Sequence, residues 1–77
     1  MMFSMPLRPE VLQRLRDEYP KGTRVELVEM NDPYRDMPPG LNGIVQMVDD
    51  AGGIHIHWEN GSSLAAIYGF DTIRKIE

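Results

Sequence analysis

Ile54-His55-Ile56-His57-Trp58-Glu59-Asn60-Gly61 decides the fold. Its first five residues alternate aliphatic or aromatic side chains with imidazoles, the period of a strand with two different faces. Asn60-Gly61 then supplies the dipeptide suited to a two-residue type I′ turn, in which both central residues need positive φ. Val25 to Met30 and Gly43 to Val48 are two further β-prone runs. Asn31-Asp32-Pro33, Pro38-Pro39-Gly40 and Asp49-Asp50-Ala51-Gly52-Gly53 punctuate them with turn chemistry. A fourth run follows Gly61, and Ile73 with Ile76 marks a short last strand. The spacing predicts a mainly β fold, a small five-stranded barrel over residues 21–77, with residues 1–20 forming an N-terminal helical segment.

A two-residue turn at Asn60-Gly61 fixes a register in which Glu59 faces Ser62, Trp58 faces Ser63, His57 faces Leu64, Ile56 faces Ala65, His55 faces Ala66 and Ile54 faces Ile67. Ile54, Ile56, Trp58, Ala65 and Ile67 then share the inner face, and His55, His57, Leu64 and Ala66 the outer. Val25 pairs with Leu27 on the core side, as Val45 does with Met47. Val28 and Met30 break the alternation, which predicts a bulge in the first strand. Trp58 reads as core, and its indole N–H then needs an acceptor.

Before the sheet, Leu7, Val11, Leu12, Leu15 and Tyr19 recur at helical spacing, with Arg14, Arg16, Asp17 and Glu18 on the other side. An amphipathic helix over residues 10–19 is expected. Pro9 suits its first turn, and Pro20 followed by Gly22 ends it. So short a helix must dock its apolar stripe, and the outer sheet face or a second subunit is the expected dock.

With 77 residues and no cysteine, the chain reads as one domain without disulfides, thiolate chemistry or cysteine-type zinc sites. A reducing, cytoplasmic home follows as the expectation. The start lacks a secretory pattern and no apolar run approaches a membrane span, so a soluble, non-exported protein with no membrane partner is expected. The net charge of −4 is uneven. Residues 1–24 carry five basic and three acidic side chains, and residues 25–77 carry three basic and nine acidic. An acidic body disfavours phosphate backbones, while a basic leader leaves them a foothold.

The order of strand, long loop, strand, short turn, strand, Asn-Gly hairpin, strand, single turn and last strand resembles the SH3-like barrel over residues 22–77. Tyr19-Pro20-Lys21-Gly22-Thr23-Arg24-Val25-Glu26-Leu27, Pro38-Pro39-Gly40 with Gly43-Ile44-Val45, and Ile54 through Leu64 resemble an uncharacterised family of short bacterial and phage-borne proteins. No activity and no functional residue is implied by that resemblance. Gly40 to Val45 also resembles the glycine-valine turn of KOW-type RNA-associated barrels, although the loops here carry Asp32, Asp36, Asp49 and Asp50. The Ala-Leu-Tyr-Asp-Tyr opening and paired tryptophans of eukaryotic SH3 peptide binders do not occur.

The resemblance to an SH3-like barrel places Pro33, Tyr34, Met37, Pro38 and Pro39, together with Tyr68, along a peptide-binding groove. These are the expected binding residues of an adaptor module whose partner is a protein or peptide. The second reading is a nucleic-acid contact through Arg14, Arg16, Lys21 and Arg24, with Arg8 nearby. His55 and His57, two apart on one strand face, have the spacing of metal ligands if a neighbouring strand adds a third. Leu64 and Ala66, the expected neighbours, cannot ligate, so no metal or other cofactor is expected. Asp49 and Asp50 read as turn residues, since a calcium loop needs more oxygen ligands. Ser62 falls at the hairpin tip and Ser63 on the face away from both imidazoles, so no nucleophilic triad and no enzyme is expected. A monomer or weak homodimer completes the expectation.

Overall fold

The computed structural model describes residues 7–31 and 37–76. One helix, α1 (Pro9–Glu18), precedes five strands: β1 (Arg24–Glu29), β2 (Asn42–Val48), β3 (Gly53–Trp58), β4 (Ala66–Ile67) and β5 (Thr72–Lys75). The strands form one antiparallel sheet in the order β4-β3-β2-β1-β5. The sheet is not closed: β4 pairs only with β3 and β5 only with β1. The fold is therefore mainly β, with one short helix.

Pro9 occupies the first turn of α1, where its missing N–H costs nothing, and the Arg8 carbonyl accepts from the amides of Val11 and Leu12. Glu10 near the N-terminus and Arg16 in the last turn suit the helix dipole. Leu15 is the helix residue buried in the core, at a gain of about 1.5–3 kcal/mol. It joins Val25, Leu27, Val45, Val48, Ile54, Ile56, Trp58 and Ala66. The helix thus docks on the core rather than on the histidine face, correcting the expected cover; His57 stays exposed and His55 half-buried.

The expected β1 bulge is present, as a register shift between Leu27 and Glu29 against β5. A second shift, between Val45 and Met47 against β3, turns Met47 outward and puts Val48 in the core. The expected Val45–Met47 face is corrected accordingly. The third difference is the hairpin. Its tip closes with the Trp58 amide donating to the Ser62 carbonyl at 2.9 Å and the Gly61 amide to the Trp58 carbonyl at 2.9 Å. Three residues, ending in Gly61 at φ +89°, turn the chain, so a bulged loop replaces the two-residue turn. That one-residue slip exchanges the faces of the fourth strand. Ile54 pairs with Ala66 and Gly53 with Ile67, so Ala66 enters the core and Ile67 faces outward.

Candidate functional site

Among the described residues, two surfaces gather side chains capable of recognition. The first surrounds the turn from β4 to β5. The Asp71 carboxylate shapes it, one oxygen accepting from the Ile67 amide at 2.9 Å and the other from the Asn31 amide at 2.8 Å. The Asn31 side-chain amide also donates to the Phe70 carbonyl. With its backbone held from both sides, the turn presents Ile67, Tyr68 and Phe70 at 43 %, 48 % and 62 % exposure. Beside it lies a cleft of about 220 Å³, whose lining includes Leu15, Tyr19, Ile54, Ala66 and Ile73. Burial first, and the Glu18 charge second, pushes the Tyr19 hydroxyl above the ordinary phenol value. The Lys75 ammonium sits 5.5 Å from the Tyr19 ring centre.

The expected binding residues are only partly assembled here. Pro33 and Tyr34 lie outside the described residues. Pro38 and Pro39 are exposed and Met37 half-buried. Asn60, at the hairpin tip, donates to the Met37 sulfur at 3.7 Å, whereas the Tyr68 amide donates to the Gly52 carbonyl at 3.0 Å. Asn60 and Gly52 flank opposite ends of β3, so Met37 and Tyr68 make their contacts at opposite ends of that strand. Sequence reasoning missed Ile67, because the assumed register buried it, and Phe70, although an aromatic beside Gly69 in a turn was a visible signal.

Among the basic residues of the second reading, Arg16 reaches across to the β2–β3 turn. It contacts Asp50 at 2.6 Å and donates to the Val48 carbonyl at 3.4 Å. Arg24 shares a groove with Asn42, Ile44, His57 and Glu59. Arg14 and Lys21 are exposed.

The second surface is the outer face of β2 and β3. His57 stands opposite Ile44, and His55 opposite Met47. Asp49 supports this face from the adjoining turn. One carboxylate oxygen accepts from the amides of Ala51 at 2.9 Å and Gly53 at 2.8 Å, and the other lies 2.8 Å from His55 Nε2. Asp49 is therefore a turn former, as its loop position predicts. The His55 hydrogen bond holds its carboxyl below the usual range; burial opposes it, and the Gly53 and Ala51 amides lower it further. Among the described residues no three histidine, cysteine, aspartate or glutamate side chains cluster at metal-binding distance. Asp49→Ala is expected to cost about 1–2 kcal/mol in urea unfolding at neutral pH, from three lost hydrogen bonds partly replaced by water. The folded-state value is depressed, so this stability is present above the unfolded carboxyl range and lost as pH falls through the folded value. The gap between wild type and variant should therefore narrow in acid.

A small antiparallel β protein with an apolar turn linking its two edge strands and a histidine face on its outer side is the class these features define. Residues 8–76 match the family described as a domain of unknown function, DUF4314, and the chain belongs to that family. No curated protein and no solved structure matches the chain.

Proposed function

We propose that this protein is a small SH3-like binding module without chemistry of its own, which recognises a protein partner through the β4–β5 turn. The observation that carries the reading is the exposure of Ile67, Tyr68 and Phe70 on one turn, beside a cleft floored by core side chains. Three large apolar side chains this close together cost solubility, and a surface of this kind marks an interaction site more often than an accident. A partner segment with one apolar anchor fits the cleft, and the tethering of the turn by Asp71 and Asn31 limits the ordering cost of binding.

The strand order β4-β3-β2-β1-β5, with a single turn between the two edge strands, supports the SH3-like description. Pro38 and Pro39, exposed where the long loop returns to β2, would offer a separate contact away from this turn. A cytoplasmic setting in a bacterium or its phage fits the cysteine-free sequence and its resemblances, and no described helix is long and apolar enough to cross a membrane.

The test is selection of random peptides on immobilised protein, followed by titration of the enriched peptides into wild type and Phe70→Ser. Enriched peptides should shift the amides of residues 67–70 and lose affinity about tenfold or more in the variant, as expected for loss of a buried aromatic anchor. Peptides that bind both proteins equally would sink the reading. Single-stranded oligonucleotides serve as the competing arm. Shifts on Arg14, Lys21 and Arg24 that fade steeply with salt would favour the nucleic-acid alternative.

A further inference from the structure

We propose that Met47, His55 and His57 form a binding site for Cu(I) on the outer face of β2 and β3. The three side chains share one sheet face. Met47 is the direct cross-strand partner of His55, and His57 lies two residues further along the same strand. All three line one shallow groove, together with Gln46, Ile56 and Ser63. None is in the core: Met47 is 52 % exposed, His57 is exposed and His55 half-buried.

The β2 bulge makes the arrangement. In an unbroken alternation Met47 would follow Val45 into the core, and the histidines would face only Ile44 and the fourth strand. The register shift between Val45 and Met47 turns the thioether onto the imidazole face, the kind of re-aiming that bulges perform. Burial supports this account, since Val48 takes the core position that Met47 vacates.

A second feature resembles the outer shell of a metal centre. His55 Nε2 lies 2.8 Å from Asp49 Oδ2. A carboxylate only accepts, so Nε2 carries a proton, and the neutral imidazole then has its lone pair on Nδ1. A carboxylate that fixes the tautomer and raises the basicity of an imidazole is the usual partner of a ligating histidine. Asp49 is itself fixed by the Ala51 and Gly53 amides, so the His55 ring is oriented before any ion arrives.

Donor chemistry selects the ion. A neutral thioether is a soft ligand that favours Cu(I), and imidazole also suits copper. Zinc is held by thiolates, imidazoles and carboxylates, and a thioether adds little for it. Two imidazoles and one thioether carry no charge, which suits a monovalent cation better than a divalent one.

The experiment is anaerobic titration of the full chain with Cu(I) buffered by a chromogenic chelator, with methionine methyl and histidine NMR signals as the readout. One equivalent should bind. Among the six methionines, the Met47 methyl should shift most, together with the rings of His55 and His57. Met47→Leu and His57→Gln should each weaken binding by about tenfold or more while keeping the wild-type amide spectrum, since both positions are exposed and the leucine is nearly isosteric. Zn(II) should compete poorly. An unmoved Met47 methyl, or a well-folded His57→Gln protein that binds as tightly as wild type, would overturn the site.

Discussion

Trp58→Ala is expected to remove a large share of the folding free energy. The indole is fully buried, with Leu27, Ile56, Val25 and Val45 as the other large core side chains enclosed to the same degree. Truncating a buried tryptophan costs about 3–5 kcal/mol, from lost transfer energy and from a cavity that the surroundings only partly refill. At about 0.05–0.15 kcal/mol per residue, a chain of 77 residues holds about 4–12 kcal/mol in total. At the lower end of that range the variant sits at the edge of folding at 25 °C. Far-UV circular dichroism during urea unfolding is the proper readout, because the substitution removes the only tryptophan fluorophore. Trp58→Phe separates the two contributions of the side chain. It keeps an aromatic ring but loses the indole N–H that donates to the Leu64 carbonyl at 2.8 Å. That leaves a part-buried acceptor without its partner, so a cost of about 1–3 kcal/mol is expected. A Trp58→Ala protein within about 1 kcal/mol of wild type would mean that this side chain does not anchor the core.

Much of this core was legible in the alternation of the sequence. Ile54, Ile56 and Trp58 fall on one face because a strand has a period of two, and β3 keeps that period without interruption. The helix was legible as well, from Pro9 to the stop before Pro20, since proline geometry acts locally. What alternation did not carry was register. Asn60-Gly61 suits both a two-residue turn and a three-residue bulged loop, and only the packing of Ala66 rather than Ile67 against Ile54 selects the second. Which of the two residues faces the core is a tertiary fact with no local signal.

The candidate sites inherit these errors directly. Assigning Ile67 to the core hid the apolar turn that now carries the proposed partner surface, and leaving the β2 bulge unforeseen hid Met47 from the histidines. In both places a single residue of register decides whether a side chain is structural or available. Asp49 was read correctly because an aspartate two to four residues before turn amides satisfies them locally, with Ala51 and Gly53 as acceptor-seeking donors. A shared surface of Pro38, Pro39 and Tyr68 is a matter of distances across the sheet, which spacing along the chain does not encode.

The other large expected effect falls on Gly43, the residue directly across from Trp58 in the β2–β3 ladder. A Cβ built there would lie 2.8 Å from Trp58 Cε3 and 3.1 Å from the His57 carbonyl oxygen, and closer still to the Ile56 side-chain methyl Cγ2. Glycine is therefore required by crowding and not by its backbone angles, since Gly43 is absent from the positive-φ positions. Ordinary strand propensity would make alanine neutral or slightly favourable here. Overpacking reverses that sign, and Gly43→Ala is expected to destabilise by about 1–3 kcal/mol in urea unfolding. The two explanations separate in a double-mutant cycle with Ile56→Ala, which removes the methyl nearest the new Cβ. If crowding is the cause, Gly43→Ala should cost less in the Ile56→Ala background, with a coupling of about 0.5–3 kcal/mol. Equal cost in both backgrounds would assign the effect to Trp58 and the backbone of β3, which remain in place when Ile56 is truncated. A neutral Gly43→Ala in the wild-type background would show that the β2–β3 ladder yields at this point. The indole would then have slack against β2, and Trp58 would be a less rigid anchor of the core.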